Sequence, residues 1–276
     1  MRSVPFSLRI FTIMKMVIIG TGNVAYHLIK RLSEHKSATL FLHGRNSIRL
    51  SDFKKEFPDI QILSNYNLSQ TKADLILICV KDDALNDVFH QYTYSSDSII
   101  AHTSGSQKVI SNFSDIPISV FYPLQTFSQS APLNWNNIPI LIEASSDSAL
   151  AILEKVVDLL GSPYFETDEK QRMTLHLAAV ITSNFINHLI GKAEVLLQKD
   201  NINYHILKPL IEETIRKAFT NHPFSVQTGP AIRNDQTILD KHHTLLENDI
   251  ILQKIYTDIT ESIRKTGNLG LINNQS

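Results

Sequence analysis

Apolar residues in the first half of the chain fall in short unbroken runs separated by polar, helix-like stretches. The runs at 16–20, 38–43, 60–63, 74–80, 97–102, 117–121 and 138–143 predict strands. Several lack any polar alternation, as strands covered on both faces do. The stretches 24–34 and 46–57 predict crossover helices. This alternation points to an α/β fold built on a doubly wound, mainly parallel sheet. Around Gly161-Ser162-Pro163 the texture changes, and from Thr167 onward helical periodicity replaces the strand signals. Asp168 and Gln171 make a capping-box start for a helix to about residue 199, with further helices at about 205–220, 236–247 and 249–266, the last stopping at Gly267. The expected organisation is an extension or mis-called start at 1–13, a dinucleotide-type α/β domain at 14–164, and an all-helical domain at 165–276 with a frayed polar tail from Asn268.

The first strand leads straight into Gly20-Thr21-Gly22-Asn23-Val24-Ala25, and a helical segment follows. Strand, Gly-x-Gly-x-x-Ala and helix, in that order, form the phosphate-binding corner of a βαβ unit. Gly20 allows the tight turn, Gly22 lets backbone approach a pyrophosphate, and small Ala25 lets the helix pack close to the sheet. The phosphates would rest on the unpaired amides of the helix N-terminus. At the end of the second strand, Leu40-Phe41-Leu42-His43-Gly44-Arg45-Asn46-Ser47 contains no carboxylate for a ribose 2′-hydroxyl. Arg45, with Asn46 and Ser47 beside it and Arg49 one turn on, suits a 2′-phosphate instead, so NADP is expected ahead of NAD. The plainer reading of Arg45 is a solvated loop side chain. Later strand ends, Val80 and Asp82, then His102, Ser104 and Gly105, are expected to line the same crevice, and Phe121 to Phe127 to complete its rim. Thr103 to Gly105 would equally make a hydrogen-bonded turn, and Lys81, a tempting acid or base, reads more simply as a solvated lysine.

In the helical half, His176, Ser183 and Asn187 stand at i, i+7 and i+11, with Asn184 and His188 on the adjacent face. Polar groups on an apolar helix are costly to bury unpaired, so they either line a wet cleft or bond across a dimer interface. His176 is the candidate acid, because histidine titrates near neutral pH, and Asn184 the candidate for orienting a substrate. Arg233 would clamp a carboxylate or phosphate; Asp235 would assist it or cap the next helix. His242 and His243 lack metal-ligand spacing, and no metal is expected.

Composition narrows the partners. With 26 basic and 27 acidic residues the formal charge is −1, and no basic stripe suggests nucleic acid. The lone Cys79 lies in an apolar run and reads as a buried side chain in a reducing compartment. No apolar run approaches the roughly 20 residues of a bilayer span, so no membrane partner is expected and a cytoplasmic location is.

GTGNVA, VKDDAL, AHTSGS, FYPLQTF, the His176-to-Asn184 helix and TGPAIRND together resemble the family of Rossmann-like proteins with a C-terminal helical domain of unknown function. That family is itself similar to pyrroline-5-carboxylate reductase, ketopantoate reductase and deazaflavin-dependent NADP oxidoreductases. The resemblance covers about residues 14–266. It implies an NAD(P)-binding domain and a helical domain that dimerises, and it implies no substrate. Gly20, Gly22 and Ala25 match the cofactor turn, Arg45 and Ser47 the basic loop, and His102, Ser104 and Gly105 the His-x-Ser-Gly strand end. His176, Asn184, Thr228, Gly229, Pro230, Arg233, Asp235 and His242 match the helical-domain motifs. Asn234 stands where glycine is expected; asparagine tolerates left-handed backbone angles, so the turn is expected to survive. The leading expectation is an NADP-dependent oxidoreductase acting on a small polar keto or imine compound. The alternative is a non-catalytic dinucleotide-binding sensor or scaffold that dimerises through its helices.

Overall fold

The computed structural model describes residues 13–108 and 117–268. The expectations for the first twelve residues and for the tail after Asn268 therefore lie outside the described residues. The rest divides into two compact units, Met1–Asn184 and Phe185–Ser276.

The first unit runs β1 (Met14–Ile19), α1 (Asn23–Leu32), β2 (Ala38–His43), α2 (Ser47–Glu56), β3 (Gln61–Ile62), β4 (Leu75–Ile78), α3 (Leu85–Gln91), β5 (Ile99–His102), β6 (Ile118–Pro123), β7 (Ile140–Glu143), α4 (Asp147–Leu160), β8 (Tyr164–Glu166) and α5 (Glu169–Ala179). The strands form one eight-stranded sheet in the order β3-β2-β1-β4-β5-β6-β7-β8. Only the β6–β7 pairing is antiparallel. The reversal of order beside β1 gives the doubly wound form, and the carboxyl ends of β1, β4, β5 and β6 share one edge.

Unbroken apolar runs follow from burial on both faces. Met16 and Ile18 of β1 join a cluster with Leu28, Ile29 and Leu32 of α1 and Leu153, Val156 and Leu160 of α4. Val17 and Ile19 point the other way, into a cluster with Ile76, Ile78, Leu85, Val88 and Phe89. Two helices and one strand lie beyond the expected elements: α3, α4 and the edge strand β8. α4 is capped by Ser146, whose side chain accepts from the Ala149 amide, and closed by Gly161 in the left-handed region at φ 75°.

The capping box at Asp168 and Gln171 starts α5 as expected. The expected single helix to residue 199 is instead α5, a π-helical segment at Val180–Phe185, and α6 (Ile186–Gln198). Across that wider turn the i, i+7, i+11 spacing no longer defines one face, which corrects the grouping of His176 with Ser183 and Asn187. The run Glu169–Gln198 is also long and apolar enough, by length and composition, to cross a membrane. This corrects the count of unbroken apolar runs, because a hydropathy window tolerates the scattered His, Asn and Lys that interrupt such a run.

The second unit continues with α7 (Lys208–Thr220), α8 (Gln236–Leu245) and α9 (Ile250–Asn268). Gly267 does not stop α9. It lies inside the helix, where an added Cβ would come within 2.6 Å of Ile232 Cδ1, so it serves close packing. Within this unit Ala231, Leu239 and Leu246 are the buried apolar side chains among the described residues. Phe219, Ile206, Leu210, Leu245, Ile250 and Ile251 are all exposed.

Candidate functional site

The glycine turn is built as two different devices. Gly20 has φ 120°, and a Cβ there would stand 2.2 Å from the Cys79 carbonyl oxygen at the end of β4. It is glycine because two strand ends meet. Gly22 is the N-cap of α1, without a side-chain cap, and a Cβ there would have nothing within 4 Å. No acidic residue occupies the first turn. The helix N-terminus thus has open space beside Gly22 and no side chain capping its first amides, which fits a pyrophosphate. Ala25 is fully buried against the sheet, and the Asn23 side chain donates to the Phe127 carbonyl at 2.8 Å. Thr21 lies under Gly44, where an added Cβ would meet its methyl group at 2.9 Å, so the β1 and β2 loops pack together.

At the end of β2, Arg45 is exposed and Ser47 opens α2. Asn46 is spent on capping that helix, accepting from the Arg49 amide at 3.0 Å. Beside the loop lies an aromatic cluster in which the buried His43 ring nitrogen Nδ1 is 2.6 Å from the Tyr92 hydroxyl. Burial lowers the His43 pKa. Burial and the neighbouring Tyr66 push Tyr92 up to about 12, while the charge of Arg45 opposes this.

The loops after β4 and β5 are joined by a hydrogen bond, and others close the β5 loop on itself. The Ser106 hydroxyl donates to the Asp82 carboxylate. The Ser104 hydroxyl accepts from the amides of Ser106 and Gln107 at 3.2 and 3.0 Å. His102 is fully buried, and its Nδ1 accepts from the Ser104 amide at 3.2 Å. An accepting Nδ1 places the ring proton on Nε2, which has no partner among the described residues. Burial first, then the charge of Arg172, lowers the His102 pKa to about 4, with Asp82 opposing. The ring is neutral and serves as a structural strut of the loop rather than as an exposed contact. Cys79 is buried as expected, and burial pushes its thiol up to about 12.

The most informative feature is one the sequence did not single out. Arg172, in the first turns of α5, has a fully buried side chain. Its Nη1 donates to the Gly105 carbonyl at 3.0 Å, and its Nε and Nη2 donate to Glu143 Oε2 at 3.3 and 3.2 Å. This ties α5 to the end of β7 and to the β5 loop. One turn later, His176 Nδ1 lies 3.0 Å from the Tyr122 hydroxyl at the end of β6. Gly105 lies beneath the pair: a Cβ there would be 2.6 Å from both His176 Nδ1 and the Tyr122 ring. Burial, and then the charge of Asp82, raises the Tyr122 pKa, so the phenol stays protonated.

Thus His102, Ser104, Gly105 and His176 of the expected set come together, joined by Tyr122, Arg172 and Glu143. Asn184 is exposed in the π segment. Arg233 and Asp235 belong to the second unit. There Arg233 is exposed, and Asp235 accepts from the Ile238 amide at 3.3 Å, which makes it the N-cap of α8. Asn234 takes φ 53°, the left-handed angle expected of it. Among the described residues no group of three or more His, Cys, Asp or Glu is placed to hold a metal ion.

Residues 138–263 match a domain of unknown function (DUF2520), and residues 15–104 match the family described as NADP oxidoreductase, coenzyme F420-dependent. The solved structure of a candidate NADP oxidoreductase from Bacteroides fragilis is 31% identical, covers 92% of this chain and 99% of its own, and superposes with a TM-score of 0.83. A reductive aminase from Aspergillus terreus, in complex with NADPH and ethyl levulinate, is 13% identical over 96% of this chain and 97% of its own, with a TM-score of 0.74. The 1-pyrroline-5-carboxylate reductase of Streptococcus pyogenes is 18% identical over 93% of this chain and 98% of its own, with a TM-score of 0.59. At those identities the last two show the shared fold. No curated protein matches the chain.

Proposed function

The chain belongs to the family of Rossmann-domain proteins that end in a helical domain of unknown function (DUF2520), and from that membership we propose that it is an NADP-dependent oxidoreductase of small polar keto or imine compounds. One observation carries the reading: a hydrogen-bonded Tyr122–His176 pair is held by a buried arginine at the sheet edge that also bears the open glycine turn. Gly22 and the amides of Asn23, Val24 and Ala25 would hold the pyrophosphate, and Arg45 with Ser47 the 2′-phosphate. Val80, Asp82, Ser104 and Gly105 would border the nicotinamide side of the crevice. NADPH bound there would supply the reducing equivalent to the substrate carbon.

The protein's own part is to orient the substrate and supply a proton. His176 donates from Nε2 to the carbonyl oxygen or imine nitrogen as negative charge develops on it. Asn184 is a proposed substrate contact, and Arg233 with Asp235 is a proposed anion clamp on the second unit. The helical domain also forms a homodimer in this reading. Its support is the sparse core of the second unit beside exposed Phe219, Leu210 and Ile250, apolar surface that a second copy would cover. The reading places the protein in the cytoplasm.

The test is a fluorescence titration with NADPH and NADH, followed by turnover on a panel of keto acids and cyclic imines. Arg45→Asp should weaken NADPH by at least tenfold more than NADH, the loss of about one charge-assisted contact. Equal losses would remove the NADP assignment. Tight NADPH binding with no turnover on any substrate would favour the sensor or scaffold instead.

A further inference from the structure

We propose that Tyr122 is a positioning residue that fixes the tautomer of His176, donating its phenolic proton to Nδ1 so that the neutral ring carries its own proton on Nε2. The inference rests on the reading of His176 as proton donor, and it gives a chemical role to Tyr122, which the sequence placed only within FYPLQTF at the rim of the crevice. Three observations carry it.

First, the phenol oxygen and Nδ1 are 3.0 Å apart, and the rings meet edge to face with centroids 5.8 Å apart. The Tyr122 hydroxyl has no other hydrogen-bond partner among the described residues. Were Nδ1 the donor, the half-buried phenol would have to turn its proton to solvent, whereas a phenol is a better donor to a neutral imidazole nitrogen than the imidazole N–H is to a phenol oxygen. Second, the seat is filled to contact. A Cβ on Gly105 would lie 2.6 Å from Nδ1 and 2.6 to 2.7 Å from the Tyr122 ring, so neither ring can turn away without a gap opening over the glycine. Third, the seat and the helix are clamped together. Arg172, one turn before His176, donates to the carbonyl of Gly105 and binds Glu143 with a fully buried side chain. Nε2 forms no hydrogen bond among the described residues, and the ring is half-buried, so the proton-bearing nitrogen is left to a ligand.

Burial of Tyr122 supports the donor role, because it holds the phenol in its protonated form. The proton inventory then closes. Bound NADPH would supply the hydride that reduces the C=O or C=N carbon, and the protein's part is to supply the proton that the heteroatom then needs. The heteroatom takes the Nε2 proton and Nδ1 takes the phenolic proton across the existing hydrogen bond; the resting tautomer returns when Nδ1 gives that proton back to the phenolate and Nε2 takes one from solvent. His176 stays neutral throughout.

The experiment is a long-range proton–nitrogen correlation spectrum of the full chain with 15N-labelled histidine, recorded without cofactor at about pH 8, where an ordinary histidine is neutral. His176 is picked out of the eleven histidines by its loss in His176→Gln. The expected wild-type spectrum shows a single Nε2-protonated form with Nδ1 shifted as a hydrogen-bond acceptor. In Tyr122→Phe both tautomers should appear in exchange, and Nδ1 should lose that shift. A wild-type ring protonated on Nδ1 overturns the proposal, as does a spectrum unchanged in Tyr122→Phe. If the variant fails to fold, the wild-type tautomer and the Nδ1 shift still decide. The measurement needs neither NADPH nor substrate, so a failure here leaves the cofactor reading standing, and a failure to bind NADPH leaves this assignment standing.

Discussion

Removing Glu143 should destabilise the protein more than removing Arg172, although the two make one ion pair. The asymmetry comes from burial: the Arg172 side chain is 0% exposed, whereas that of Glu143 is 24% exposed and reaches water. Glu143→Ala strands a guanidinium inside the protein with the Gly105 carbonyl as its one remaining acceptor. An uncompensated buried charge of this kind costs about 3–5 kcal/mol. Arg172→Met keeps most of the volume and leaves Glu143 to solvent. Its main loss is the bond to the Gly105 carbonyl, worth about 1–3 kcal/mol. The double variant has no charge left to strand. With single costs near 4 and 2 kcal/mol, independent sites would sum to about 6, and the expected value is about 3, a coupling of about 3 kcal/mol. Thermal unfolding at one fixed protein concentration reads this out, with Glu143→Ala lowering Tm by roughly 8–16 °C at about 2–4 °C per kcal/mol. An additive double variant would refute the reasoning, and so would a Glu143→Ala variant milder than Arg172→Met.

Three further outcomes follow from the described geometry. Gly20→Ala should unfold or strongly destabilise the chain, since its Cβ would sit 2.2 Å from a carbonyl oxygen at φ 120°. Gly22→Ala should keep stability within about 1 kcal/mol, the scale of a weaker N-cap, yet lose NADPH affinity in a fluorescence titration; a variant that binds normally counts against the phosphate site. His102 takes up a proton near 6.5 when unfolded and near 4 when folded, so its contribution is complete above pH 6.5 and declines as the pH falls toward 4. Urea unfolding between those pH values should lose up to about 1.4 kcal/mol per pH unit from this group, and His102→Asn should flatten the slope; parallel profiles for the two proteins would reject it.

The corner from β1 through α1 was legible because every residue in it obeys a local rule: β-branched strand, permissive glycines, small Ala25. The capping box at Asp168 and the left-handed Asn234 were legible for the same reason. The helix α4 was equally well signed, with a Ser146 cap and apolar positions at 149, 153, 156, 157 and 160. Its Gly161 cap, read as the mark of a domain boundary, hid the helix it closes. Arg172 was a different matter. In Glu169-Lys170-Gln171-Arg172 it looks like one more solvated charge in a first turn, and its partners lie 29 and 67 residues away. Nothing local distinguishes a buried arginine from a wet one; only the packing of α5 on the sheet does. Tyr122 had the right address, a strand end at the functional edge, but its role exists only once His176 is beside it. The π segment, Val180–Phe185, is made of weak helix formers, and helical apolar spacing on both sides of it masked that local signal.

The two glycines of the β1–α1 turn also bear on how such motifs record history. Gly20 serves the junction of two strands and owes nothing to a ligand, whereas Gly22 borders empty space and owes its smallness to whatever fills that space. A descendant that stopped binding dinucleotides would remain bound to Gly20 by its fold and be released from Gly22. Survival of the first glycine is therefore a record of architecture, and the fate of the second is the one that reports whether the ligand is still in use.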